Sequence, residues 1–417
     1  MSQGRPEVIA GRLLQSVSDF AAIGATPAGG VNRQALSIED RTARRLLAER
    51  ALARGFTVFQ DDAANLFIRR EGRDATLAPL LIGSHLDSQP TGGRFDGALG
   101  TLCAFEVLEA FSDAGVETDR SIEIVAFTNE EGSRFSPGCM GSMAFCGAGR
   151  VEDWQADDPV FADELKATLQ ALPEAEIRPT GHVVSAFVEL HIEQGPVLER
   201  ENVPIGIVTG IQGTKWLEVT FSGEAAHAGT TPLAFRKDPM AAAAVAIARM
   251  QEEIMPADQE ARLTIGRIST EPGSINVIPG RVAFTIDIRH PDAAALAAIE
   301  RRVKEQCHAA GRRWGCDAAI RSRLDMPPAR FAPSVTAVIA DTCRSLDIRS
   351  RTMVSGAFHD ALYVGRVAPS AMLFVPCRNG ISHNEAEFVS DEHIVTGARV
   401  LLGVAQRLSQ GQFHGSG

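Results

Sequence analysis

The chain has 417 residues, 45% hydrophobic and 22% charged, with a formal net charge of -11 at pH 7 and a pI near 5.5. These proportions belong to a globular protein long enough for two domains and exclude a disordered one. The acidic balance argues against nucleic acid or an anionic membrane as partner, and no run of about 18 apolar residues is present to span a bilayer.

The opening stretch, MSQGRPEVIAGRLLQ, lacks a basic-then-apolar leader pattern and predicts a mature, cytoplasmic protein. Residues 78–85 and 121–129 have the continuous apolar character of buried strands. Between them 97–115 carries apolar residues at helical spacing and ends in glycine. This β–α–β order predicts an α/β catalytic domain with a mixed, largely parallel sheet flanked by helices. Beyond about residue 212 the pattern changes. Strands are expected at 215–223, 261–269, 281–290 and near 315–323, with helices over 236–254 and 291–311. That β-α-β-β-α-β order predicts a compact α+β, ferredoxin-like insert. A proline-rich stretch at 327–333 reads as a linker, after which a helix over 335–346 and a strand at 371–377 resume the first pattern. The boundaries that follow are 1–212 and 330–417 for an interrupted catalytic domain and 213–329 for the insert. A short low-complexity tail, GQFHGSG, closes the chain.

Seven cysteines, scattered and without C-x-x-C spacing, predict free thiols in a reducing compartment. Each reads as a small buried hydrophobe, Cys377 standing out only because it lies close before His383.

Five metal-type ligands stand at or beyond expected strand ends: His85 in GSHLDS, Asp96 in GGRFDG, Glu131 in FTNEEGSRF, His191 in ELHIEQG and His383 in GISHNEAE. Three imidazoles and two carboxylates, one able to bridge, can hold two divalent ions, and Glu130 is left free to move a proton. Each motif has an ordinary alternative. Asp87 accepts the second ring N–H of His85 or lies just beside it. Asp96 ligates, or caps the helix that begins near Gly97, or does both. Glu130 and Glu131 are a solvated pair unless a cation neutralises one of them. The conjunction of all five in one domain favours the metal site.

Taken together, GSHLDSQPTGGRFDGALG, TNEEGSRF, LHIEQGPVLE, GIQGTKW, AAHAGTTP, SINVIPG, DIR and SGAFHDA resemble the dinuclear-metal amidohydrolases over about residues 80–390. They are most similar to N-carbamoyl-L-amino acid hydrolases, β-ureidopropionases and allantoate amidohydrolases. The resemblance implies a homodimer that joins through the insert and acts on a small ureido or amide substrate carrying a carboxylate. It implies two divalent ions per subunit (zinc, manganese, cobalt or nickel). His85, Asp96 and His191 would hold one, Asp96, Glu131 and His383 the other, with Glu130 as general base. It also implies that Gln194 contacts substrate, that His227 reaches across the dimer to an oxyanion, and that Asn276 and Arg289 grip a carboxylate. Read alone, Asn276 is equally a turn residue before Pro279, and Arg289 a surface strand residue. Gly356 and Ala357 fall in the loop that faces substrate. Phe358 stands there where the family usually has glycine, which puts substrate identity in doubt. The resemblance of the motifs as a whole favours hydrolysis of N-carbamoyl α- or β-amino acids to amino acid, ammonia and carbon dioxide, with allantoate as the alternative. An aminoacylase or dipeptidase is disfavoured by the histidine at 191. A non-catalytic binding protein is disfavoured because every ligand and the base are in place.

Overall fold

A computed structural model describes residues 4–410, and the GQFHGSG tail lies outside them. The chain divides into two compact units, Met1–Thr209 with Phe331–Gly417, and Gly210–Arg330.

The first unit is built on a mixed sheet. Its strands run in the order Ile205–Ile211, Ser370–Val375, Ala186–Ile192, Leu80–His85, Ile122–Phe127, Leu66–Arg70, Thr57–Gln60 and Glu176–Ile177. The four from Ser370–Val375 to Ile122–Phe127 are mutually parallel. Strands Ile205–Ile211 and Leu66–Arg70 add antiparallel margins on either side. The central strands are buried along their whole length, as strands covered on both faces must be, which is why they read as unbroken apolar runs. Helix Ala98–Asp113 packs on Leu80–His85 and Ala186–Ile192. It comes so close that a Cβ on Gly100 would sit 2.1 Å from the Leu190 carbonyl oxygen. The mixed α/β architecture expected from the sequence is the one observed.

The second unit runs Gly213–Ser222, Pro239–Glu253, Arg262–Glu271, Arg281–His290, Ala293–Arg313 and Asp317–Met326. Its sheet order is Arg262–Glu271, Arg281–His290, Gly213–Ser222, Asp317–Met326, every pairing antiparallel. Residues of Arg281–His290 alternate strictly between half-buried and buried. Leu217, Val219, Phe221, Phe284, Ile286 and Ile288 thereby meet Ala242, Ala246, Met250, Leu296 and Val303 of the two helices. Both helices start at an aspartate cap. Asp238 accepts from the Met240 and Ala241 N–H groups at 3.0 and 3.1 Å, and Asp292 from that of Ala295 at 2.8 Å. The proline-rich stretch is more than a linker: Ala329 and Arg330 pair with Ile211 and Gly210.

Candidate active site

His85 closes its strand with a fully buried ring. Nδ1 lies 3.0 Å from the Asp87 carbonyl oxygen, which accepts the ring N–H and leaves Nε2 as the unprotonated nitrogen. Of the two placements open to Asp87, the structure shows the second. Its carboxylate lies beside the ring, 3.6 Å from Nδ1, and accepts instead from the Glu130 and Glu131 N–H groups at 3.3 and 3.2 Å. The strand ends at His85, so the two-residue alternation does not carry through to residue 87. Asp87 is thus the brace of the acidic pair.

Asp96 sits at the centre. Its Oδ1 is 3.0 Å from His191 Nε2 and 3.7 Å from His85 Nε2, and its Oδ2 is 3.6 Å from His383 Nε2. Ser382 Oγ and Gln194 Nε2 donate to Oδ2 at 2.6 and 2.8 Å. The capping alternative fails, because the helix is capped by Gly97 at φ 64° with no side-chain bond. His191 lies inside strand Ala186–Ile192 rather than beyond it, Nδ1 against the Ile192 carbonyl oxygen at 2.9 Å and Nε2 toward Asp96. Glu131 Oε2 is 3.2 Å from His383 Nε2 and accepts from Gln89 Nε2 at 2.8 Å. Glu130 Oε2 is 3.5 Å from His85 Nε2.

Two ligand groups result, His85–Asp96–His191 and Asp96–Glu131–His383, each with donor atoms within 4.8 Å of one another and Asp96 common to both. The residues fit divalent cations. His85 Nε2 is buried without a hydrogen-bond partner, as a nitrogen meant for a metal would be. Burial, then the nearness of Asp360 to Glu130 and of Asp96 to Glu131, raises both carboxyls well above the ordinary range. Positive charge at these two ligand groups would relieve that repulsion. Burial also pushes His85 down to about 4, keeping it neutral and able to ligate. Burial works against charge on His191 and Asp96 too, but their mutual attraction overrides it. It brings His191 up to about 9 and holds Asp96 well below the usual carboxylate range.

The other expected residues fall in separate places. Gln194, at φ 54°, belongs to the Asp96 cluster. Gly356 and Ala357 lie in the turn after strand Ser350–Ser355, where the Ala357 N–H donates to Ser355 Oγ at 3.1 Å. Phe358 follows them, half-buried. In the second unit, His227 and Asn276 are brought together: Ala226–His227 pairs with Val277–Ile278, and the Ala228 N–H donates to the Asn276 carbonyl at 3.0 Å. The exposed His227 ring accepts from the Gly229 and Thr230 N–H groups at Nδ1, which puts its own proton on Nε2. Arg289 lies on its strand with its fork on Asp287, Nε and Nη2 each at 2.9 Å. Cys377 rests against the Gly195 carbonyl oxygen, 3.9 Å away.

Two buried carboxylates were not anticipated. Glu189 accepts from Ser84 Oγ at 2.7 Å and from the Ala361 N–H at 3.0 Å. It also forms a third donor group with His191 and His359. An acid in the apolar run VELHI, two residues before His191, was the available sign. Glu387 accepts from the Phe95 and Asp96 N–H groups at 2.9 and 3.1 Å, so it fixes the Asp96 loop, and its Oε2 lies 3.0 Å from Ser382 Oγ. No local pattern marks it.

The peptidase family M20/M25/M40 matches residues 81–407. The chain is 39% identical to an N-carbamoyl-L-amino-acid amidohydrolase of Pseudomonas sp. (strain NS671) over 94% of its length and 96% of the relative's. It is 34% identical to the allantoate amidohydrolase of Escherichia coli (strain K12), over 92% and 94%. A crystal structure of a hydantoinase/carbamoylase family amidase from Burkholderia multivorans superposes with a TM-score of 0.92 at 40% identity, covering 97% of this chain and 98% of that one. The chain therefore belongs to the peptidase M20/M25/M40 family and, within it, to the amidohydrolases, which cleave C–N amide bonds.

Proposed function

We propose that the protein hydrolyses the carbamoyl C–N bond of N-carbamoyl amino acids, yielding the amino acid, ammonia and carbon dioxide. The observation that carries this reading is the convergence of His85, His191, Glu131 and His383 on a shared Asp96, with the Glu130 carboxylate unspent beside them. The relatives named as N-carbamoyl-L-amino-acid amidohydrolases supply the substrate class.

His85, Asp96 and His191 would hold one divalent ion and Asp96, Glu131 and His383 a second, from among zinc, manganese, cobalt and nickel. Bound there, such ions supply Lewis acidity that polarises the ureido carbonyl and acidifies water. Glu130 takes the proton of the attacking water and delivers it to the leaving nitrogen. Asp87 keeps Glu130 in place by bonding its backbone N–H. Gln194, Gly356 and Ala357 line the reacting group. The Nε2–H of His227 steadies the oxyanion across a homodimer, and Asn276 and Arg289 grip the carboxylate, Arg289 exchanging Asp287 for the substrate. The seven free cysteines suit the cytoplasm.

The test is ammonia release from a panel of N-carbamoyl-α-amino acids, N-carbamoyl-β-alanine and allantoate, before and after chelation and with each metal restored. Turnover of a carbamoyl amino acid that is lost on chelation supports the proposal. Hydrolysis of N-acetyl but not N-carbamoyl amino acids would overturn it. A second reading, allantoate as substrate, is favoured by the relative from Escherichia coli, and the same panel decides it. Light scattering checks the dimer, which should weigh twice the 44.5 kDa chain.

A further inference from the structure

We propose that Cys139 is a positioning residue for Glu130, its thiol holding one carboxylate oxygen so that the other faces the ligand cluster. The proposal rests on the reading of Glu130 as general base.

Cys139 is buried, and its Sγ donates to Glu130 Oε1 at 3.7 Å, while Oε2 is the oxygen 3.5 Å from His85 Nε2. The contact follows from the backbone. Residues 128–130 and 139–141 run side by side. The Cys139 N–H donates to the Glu130 carbonyl at 2.9 Å, that of Met140 to Asn129 at 3.3 Å and that of Gly141 to Thr128 at 2.8 Å. Asn129 Nδ2 closes the loop between them by donating to the Phe135 and Pro137 carbonyls at 2.8 and 3.0 Å. The approach is tight: a Cβ on Gly141 would sit 2.4 Å from the Thr128 nitrogen. Cys139 itself takes φ 56°, a conformation a non-glycine residue holds only when its surroundings impose it. Residue 139 is therefore pinned to Glu130 at two points, carbonyl and carboxylate. Burial raises the thiol well above its ordinary pKa, so at neutral pH it stays an S–H donor rather than a thiolate. An apolar side chain would fill the same space and leave Oε1 free to turn.

The experiment measures kcat and KM on the carbamoyl amino acid turned over fastest in the panel above. In Cys139→Ala, kcat is expected to fall about five- to tenfold with KM within about twofold, and metal content should be unchanged by elemental analysis. Cys139→Ser, which keeps a donor, should return kcat to within about twofold of the parent. Cys139→Gly suits the positive φ and serves as a second donor-free variant should the alanine protein not fold. In a Glu130→Asp background the shorter carboxylate is out of the thiol's reach, so Cys139→Ala should cost less than about twofold there. Unchanged kcat in the single variant, or the same loss in both backgrounds, overturns the proposal and makes Cys139 a packing residue. Full turnover by Glu130→Gln would instead remove the base on which the proposal rests, and is scored separately.

Discussion

Glu130 and Glu131 are adjacent in sequence yet turn to different neighbours, one to His85 and the other to His383. Asp87 makes this possible by taking both of their backbone N–H groups, one on each carboxylate oxygen. Glu130→Gln keeps the shape and removes the proton carrier. Turnover should fall about 10²- to 10⁴-fold with bound metal retained, measured by ammonia release and elemental analysis on the same sample. A second residue tests stability. Glu123 is buried, which alone would raise its carboxyl, but bonds from His182 and Arg178 outweigh burial and hold it well below the ordinary range. The folded state therefore keeps Glu123 ionised where the unfolded chain would bind a proton. Its stabilisation is complete above the unfolded pKa and is lost as pH falls toward the folded one. Glu123→Gln should cost about 3 kcal/mol at neutral pH. In denaturant titrations its deficit should shrink steadily between about pH 5 and about pH 3. The metal-type ligands were legible because each sits in a short motif with its own chemistry. The work of Asp87, Glu387 and Cys139 was not, because it depends on which backbone amides and which distant loop come to lie beside them.

At the scale of elements, the junction of the Asp96 loop with helix Ala98–Asp113 is a close fit. Gly97 holds φ 64°, and a Cβ there would lie 2.2 Å from the His85 ring. Gly97→Ala should displace His85 and strip metal from the protein, at a folding cost of about 1 kcal/mol from the backbone alone. Elemental analysis and thermal melting read the two effects apart, and normal metal content would refute the displacement. Helix and strand positions were legible almost to the residue wherever the apolar period was long, as in 97–115 against the observed Ala98–Asp113. Short pairings were missed. Ala226–His227 with Val277–Ile278 is only two residues long, so no period announces it, yet it places His227 beside Asn276.

At the scale of the whole molecule, Gly210–Arg330 is one continuous segment with its own buried core and capped helices. Its two ends meet, since Ala329 and Arg330 pair with Ile211 and Gly210. Expressed alone, residues 210–330 should fold cooperatively, seen as a sigmoidal melt by circular dichroism; a featureless melt would show that the core needs the rest of the chain. The first unit stands in a different position. His383 follows strand Ser370–Val375, which pairs with Ala186–Ile192, the strand of His191. A chain growing on the ribosome thus has His85, Asp96 and His191 long before His383, with the entire second unit made in between. The first ligand group can gather early, whereas the second waits for the last strand. On the proposed two-ion reading, cellular metal loading should accordingly proceed in two stages, separated by the time needed to translate and fold the insert.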